Sequence, residues 1–209
     1  IDGGAPSTGN KLWNNTIVNA ADGRWCVNIT EHCIGNQLLN NILINQHAWR
    51  GSIVVDASAL TGFVSDHNVL TARMSPNGDA TVLGLAQWQA LGYDTNSLVP
   101  GAINTVFAAY PTDLHAVSAS APQVDAGTAV VGPVVITDLD GDPRPQGVGY
   151  DIGCFEHPLS TALGTEALHP VPTIHVQGGA LLVADPAAAS LQVLDAPARL
   201  APRRKAVRA

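Results

Sequence analysis

The feature that most restricts the fold of this 209-residue chain is an internal repeat. Gly9-Asn10-Lys11-Leu12-Trp13-Asn14-Asn15-Thr16-Ile17-Val18 returns as Gly35-Asn36-Gln37-Leu38-Leu39-Asn40-Asn41-Ile42-Leu43-Ile44, with five identities in ten positions. The same offset, Gly9 to Gly35, carries Arg24 onto Arg50 and lays Cys26-Val27-Asn28-Ile29 over Ser52-Ile53-Val54-Val55. A looser third copy, Asp66-His67-Asn68-Val69-Leu70, sets Asn68 beyond Asn41 by nearly the step that separates Asn41 from Asn15. Each copy supplies two short apolar runs between polar turns, and a unit so short cannot enclose a core of its own. Stacked copies bury a continuous apolar column, which predicts an all-β chain built as coils of a right-handed parallel β-helix, a solenoid. An up-and-down sandwich with accidental similarity is the alternative, and the five identities weigh against it. Asn15, Asn41 and Asn68 predict an asparagine ladder at a sharp turn, where amides bond between coils and left-handed backbone is tolerated.

Composition agrees with a turn-rich β protein. Fourteen Asp stand against three Glu, beside 20 Gly and 14 Pro, a choice that suits turns and strand ends better than helices. Charged residues are 13% and apolar residues 46%, which excludes a disordered polyampholyte and disfavours a coiled coil. No apolar run reaches membrane-spanning length, so no transmembrane segment is expected. Five of the ten basic residues (Arg199, Arg203, Arg204, Lys205, Arg208) lie in the last eleven positions with no acid among them. The rest of the chain is therefore acidic and a poor partner for nucleic acid, whose affinity rests on neutralising phosphates. The basic end reads as a solvated tail or as a contact for an anionic surface. Cys26, Cys33 and Cys154 are too few for a zinc site or a disulfide framework, leaving buried thiols or a single Cys26–Cys33 bridge. The chain opens at Ile1 without a charged stretch leading into an apolar one, so it reads as a chain relieved of its signal or as the C-terminal piece of a longer one.

The organisation expected is β-helix coils over residues 1–75, a helix and loops flanking them over 76–118, a closing segment over 119–157, a linker over 158–172 and a tail over 173–209. Within the second part, Leu83-Gly84-Leu85-Ala86-Gln87-Trp88-Gln89-Ala90-Leu91 has apolar residues at helical spacing and Gly92 as a stop, predicting one short helix packed beside the coils. Leu114 to Val117 ends a loop region holding one or two strands. Thr173 to Val183 and Ser190 to Asp195 read as the strands of an appended hairpin.

Three stretches carry a family resemblance: Ala121-Pro122-Gln123-Val124-Asp125-Ala126-Gly127, Asp138-Leu139-Asp140-Gly141-Asp142-Pro143-Arg144-Pro145 and Gly149-Tyr150-Asp151-Ile152-Gly153-Cys154-Phe155-Glu156. They resemble the closing segment of secreted bacterial parallel β-helix repeat proteins of the choice-of-anchor Q type, and the likeness extends over roughly residues 9 to 157. Ala121 stands where that pattern has Ser, Gln123 where it has Ala, and Cys154-Phe155 where it has Ala-Tyr. The resemblance implies a secreted or cell-surface protein held by an anchor or sorting signal. The tail faintly resembles the first half of the β-sandwich sorting domain of type IX secretion, which implies contact with secretion machinery. On the residues themselves, the segment reads as a seal where the sheets end, with Arg144 paired to Asp151 or Glu156.

Candidate chemistry falls in three places. Arg24 and Arg50, bordered by Asp22, Trp25, His47 and Trp49, should occupy the same loop of successive coils. Rings stack on pyranose faces and guanidinium groups take carboxylates bidentately, so this set predicts contact with extracellular polysaccharide. Asp66 and His67 extend the candidate glycan-binding set. With His47 and Arg73 they also supply residue types for the alternative, a fragment of a polysaccharide lyase or glycoside hydrolase. Asp138, Asp140 and Asp142 alternate around a glycine, as weak candidates for Ca²⁺; the EF-hand spacing and its terminal Glu are absent, so a structural turn is the favoured reading and no cofactor is expected. No serine elbow, phosphate loop, dinucleotide fingerprint or HExxH motif is present.

Overall fold

The computed structural model of the chain describes residues 5–158 together with three strands of the tail. The chain divides into two compact units, Ile1–Ser160 and Thr161–Ala209. In the first, β1 (Lys11–Trp13), β2 (Thr16–Asn19) and β3 (Val27–Ile29) form one turn of the chain, β4 (Gln37–Leu39), β5 (Ile42–Asn45) and β6 (Ile53–Val55) the next, and β7 (Val64–Asp66), β8 (Val69–Leu70) and β9 (Met74–Ser75) the third. They pair as three parallel sheets, β1-β4-β7, β2-β5-β8 and β3-β6-β9. Lys11 lies against Gln37, Thr16 against Ile42 and Val27 against Ile53, each pair separated by the offset of the repeat. The architecture is thus all-β and mostly parallel, a solenoid-like stack in the register that the repeat predicts.

Alternation builds two apolar layers from these strands. Leu12, Ile17, Val27, Ile29, Leu38, Leu43, Ile53, Val55, Leu70 and Met74 point inward and form one column. Ile42, Ile44 and Val69, on the other face of β2-β5-β8, pack with Val106, Phe107 and Ile152. That sheet is therefore buried on both sides, and all of β5 is buried, the continuous apolar pattern expected of covered parallel strands. Truncating a wholly buried side chain such as Ile53 would cost about 2–5 kcal/mol.

The ladder forms at the three asparagines. Asn41 Oδ1 accepts from Asn15 N at 2.9 Å, and Asn68 Oδ1 accepts from Asn41 N at 2.8 Å and Asn41 Nδ2 at 3.1 Å. The left-handed residue is the one before each ladder position: Asn14, Asn40 and His67 have φ of 52°, 57° and 51°. Sharp reversal is made there, which frees the next side chain to lie inside the turn.

Beyond the third coil, α1 (Leu85–Gln89) is shorter than the periodicity predicts, because Leu83 pairs with Met74 as backbone. Gly84 caps it, its N–H donating to the Gln87 side chain at 3.1 Å. The indole of Trp88 is fully buried in the inner column beside Phe63 and Tyr93. Its Nε1 donates to Asp94 at 2.7 Å; Asp94 also accepts from Asn68 and Ser97, ending the ladder with a buried carboxylate. A short antiparallel pair follows, β10 (Phe107–Ala109) and β11 (Asp113–Ala116).

The closing segment corrects the expectation of an end seal, for α1 lies over the third coil and the segment runs along the side of the stack. Asn14 Nδ2 donates to Asp151 O at 2.9 Å, Thr128 N to Asn40 Oδ1 at 2.8 Å, and His67 Nδ1 lies 3.0 Å from Ala126 O. The left-handed residues of three successive turns thus hold one strap. A Cβ at Gly153 would come within 2.7 Å of Ile42, so glycine is what allows this close approach. The expected pairing of Arg144 is made with Glu156. Cys26, Cys33 and Cys154 are all thiols, so no Cys26–Cys33 bridge forms.

The second unit contains β12 (Thr173–Gln177), β13 (Ala180–Ala184) and β14 (Gln192–Asp195) as an antiparallel sheet, three strands where a hairpin was expected. The linker after Pro158 and the basic residues from Arg199 onward lie outside the described residues.

Candidate functional site

Arg24, Arg50 and Arg73 all stand on the turns that join the β2-β5-β8 sheet to the β3-β6-β9 sheet. Two turns are long, running from Ala20 to Cys26 and from Gln46 to Ser52, whereas the third is only Thr71 to Arg73. The short turn leaves space beneath the 46–50 loop, and Arg73 fills it, donating to His47 O and Ala48 O at 2.5 Å each. Asn45 holds the same loop from within: its Nδ2 donates to Arg24 O and Gly51 O, and its Oδ1 accepts from His47 N at 2.9 Å. His47 Nδ1 accepts from the backbone N–H groups of Trp49 and Arg50 at 3.2 Å, which puts the proton of the neutral ring on Nε2.

This framework presents an aromatic and cationic surface. Trp49 is 55% exposed. His47 meets its edge at 4.6 Å between centroids, and the Arg50 guanidinium lies 4.5 Å from the ring centre. Arg50 also reaches back to Gly23 O at 3.5 Å, bridging two coils. Arg24 and Asp22 are exposed, and Trp25 is buried. Among the described residues, none of the three arginines forms an ion pair; Arg73 is occupied by the loop carbonyls, and Arg24 and Arg50 are the two cations left to meet an anion.

Asp66 and His67 are not part of this surface. They occupy the turn between β7 and β8, on the far side of the middle sheet. Both carboxylate oxygens of Asp66 accept from Asn96, at 2.7 Å each, while His67 bonds the closing segment. Their polar groups are spent on backbone and loop geometry.

The Asp138 turn is internally organised. Asp138 Oδ1 accepts from Asp140 N and Asp142 N, and Oδ2 from Glu156 N, each at 2.9 Å. Burial raises this carboxyl, but the three N–H donors outweigh it and hold the group below its usual range. Asp140 turns away to His115 Nε2 at 2.8 Å, and the other nitrogen of that ring meets Asp113 at 2.7 Å. Among the described residues no group of three or more His, Cys, Asp and Glu is placed to hold a metal. Burial pushes the Cys26 thiol up to about 12, so it is inert as a nucleophile near neutral pH.

One feature escaped the sequence reading. A groove of about 580 Å³ opens over the outer face of the β3-β6-β9 sheet, with Arg24 and Trp25 on it together with Asn28, Glu31, Asp56 and Asp79. The available signal was the repeat itself: each β3-type strand is followed within a few residues by an acid. Comparison with protein families, curated proteins and solved structures finds no match for this chain.

Proposed function

We propose that this chain is the C-terminal part of a secreted right-handed parallel β-helix protein of the choice-of-anchor Q type, held at the cell surface, whose 46–50 loop face contacts extracellular acidic polysaccharide without cleaving it. The observation that carries the reading is the arginine set on adjacent coils, outside any ion pair among the described residues, beside the exposed Trp49 ring. Parallel coils repeat at about 4.8 Å, so a linear polymer laid across the first two coils meets Arg24 and then Arg50. Guanidinium groups suit carboxylates and sulfates, and the indole suits the apolar face of a pyranose. The tail would serve as the attachment or sorting element, in line with its resemblance.

A non-catalytic role is favoured over the lyase or glycosidase alternative because Asp66 and His67 are engaged elsewhere and His47 is committed to holding its own loop. The test is binding of polygalacturonate and of a sulfated glycan to the whole chain, followed by chromatography of the glycan. Retention of the polymer at full length supports a binding module. Release of unsaturated oligosaccharides, lost in His47→Ala, would establish an enzyme instead.

A further inference from the structure

The groove beside Arg24 carries opposite charges on its two rims. Arg24 and Trp25 precede β3 on one side; Glu31, Asp56 and Asp79 follow β3, β6 and β9 on the other. The floor is the outer face of the sheet, with Asn28 and Val54 at paired positions. Three residues of strand separate the rims by roughly 10 Å, a span that linked pyranose rings can bridge. The volume of about 580 Å³ lies within the range of small-ligand sites.

Resting on the polysaccharide reading above, we propose that this groove is a subsite for a sugar bearing a protonated amine, so that the arginine face and the groove together select a polymer alternating acidic and amino sugars. A uniform polyuronate would meet three carboxylates here against one arginine, an arrangement that rejects it from the groove. An ammonium group meets the reverse. Glu31 and Asp79 are exposed, and neither forms an ion pair among the described residues. Asp56 uses one oxygen, Oδ1, to accept from Ser58 N and Oγ at 2.8 and 2.7 Å. Gly78 stands beside its second oxygen, where a Cβ would make an ordinary contact at 3.5 Å. The Ser58 hydroxyl and N–H hold the Asp56 carboxyl below its ordinary range, with nearby His32 acting in the same direction. Trp25, which lines the groove, is only 6% exposed, and its buried Nε1 has no acceptor among the described residues.

The experiment compares two forms of one polymer of alternating glucuronate and glucosamine, N-acetylated and free-amine, by calorimetric titration against the whole chain. Chitosan oligomers and polygalacturonate serve as the single-charge references. The expected result is about tenfold or tighter binding of the free-amine form. That preference should be lost in Glu31→Gln/Asp79→Asn, with polygalacturonate binding retained. Equal affinity for the two forms, or a preference that survives the double substitution, overturns the proposal. Should polygalacturonate fail to bind at all, the arginine face is refuted separately, and chitosan binding lost in the same double variant still reads the groove by itself.

Discussion

Arg144 Nη1 meets Glu156 Oε1 at 2.5 Å, with the two side chains 1% and 0% exposed. The guanidinium also donates to Gly153 O at 2.9 Å, and Glu156 accepts from Asp151 N and Gln146 N. This pair fastens the end of the closing strap to its own middle. Breaking a buried pair leaves the surviving charge uncompensated, so Glu156→Gln or Arg144→Met should each cost about 3–5 kcal/mol. Urea unfolding should also show that Arg144→Met/Glu156→Leu costs less than the two single losses combined. Additive losses would show that the two groups act independently.

The asparagine ladder should be graded along the stack. Asn68 is fully buried and bonds to Asn41, Leu38 O, Ser65 and Asp94, whereas Asn15 is only half-buried and its amide donates to Trp13 O and Asn41 Oδ1. Asn68→Ala should therefore destabilise by roughly 2–4 kcal/mol and Asn15→Ala by about 1 kcal/mol, since each orphaned buried group carries its own desolvation cost. Equal losses would mean that the ladder does not act through its buried bonds.

Stability should fall in two steps as pH rises. Burial pushes the Asp151 carboxyl up to about 6, above its unfolded value near 3.9. The folded state then holds a proton that the unfolded state releases, so stability present below pH ~4 declines through pH ~6. His115 is raised by its bond to Asp140 and then by Asp113. Its contribution is full below its ordinary value near 6.5 and is lost as pH climbs through the raised one. Thermal melts across pH should show the first step missing in Asp151→Asn and the second in His115→Phe. A wild-type profile that rises from pH 4 to 6 would contradict the assignment.

The stacking, the ladder and the register were legible in the sequence because repetition at a constant offset forces like residues above like. The Arg24–Arg50 juxtaposition followed from the same offset. Three things were not. The turn before Met74 is shortened, so Arg73 falls out of alignment and its role under the 46–50 loop is visible only in three dimensions. The closing strap attaches through Asn14, Asn40 and His67, and a local pattern does not reveal which face a distant segment covers. The groove acids follow strands in turns of unequal length, so spacing alone did not align Glu31, Asp56 and Asp79.

Placement also separates the candidate residues. Asp66→Asn and His67→Asn should leave glycan affinity unchanged, because they lie at the strap side of the middle sheet. His67→Val should lower stability, since a β-branched residue at a φ of 51° is strained. Affinity measured on Asp66→Asn that fell tenfold would place this turn in the glycan site.

The most direct measurement of the central claim is the affinity of polygalacturonate for the wild type and for Arg24→Ala/Arg50→Ala over a series of salt concentrations. Arg24 is exposed and Arg50 half-buried, and Asn45 and Arg73 still brace the loop, so the variant should stay folded, with a melting temperature that checks it. Binding should weaken with salt in the wild type, and affinity should be reduced at least tenfold, with a shallower salt dependence, in the variant. Unchanged affinity in a folded variant, or wild-type binding indifferent to salt, would contradict the claim.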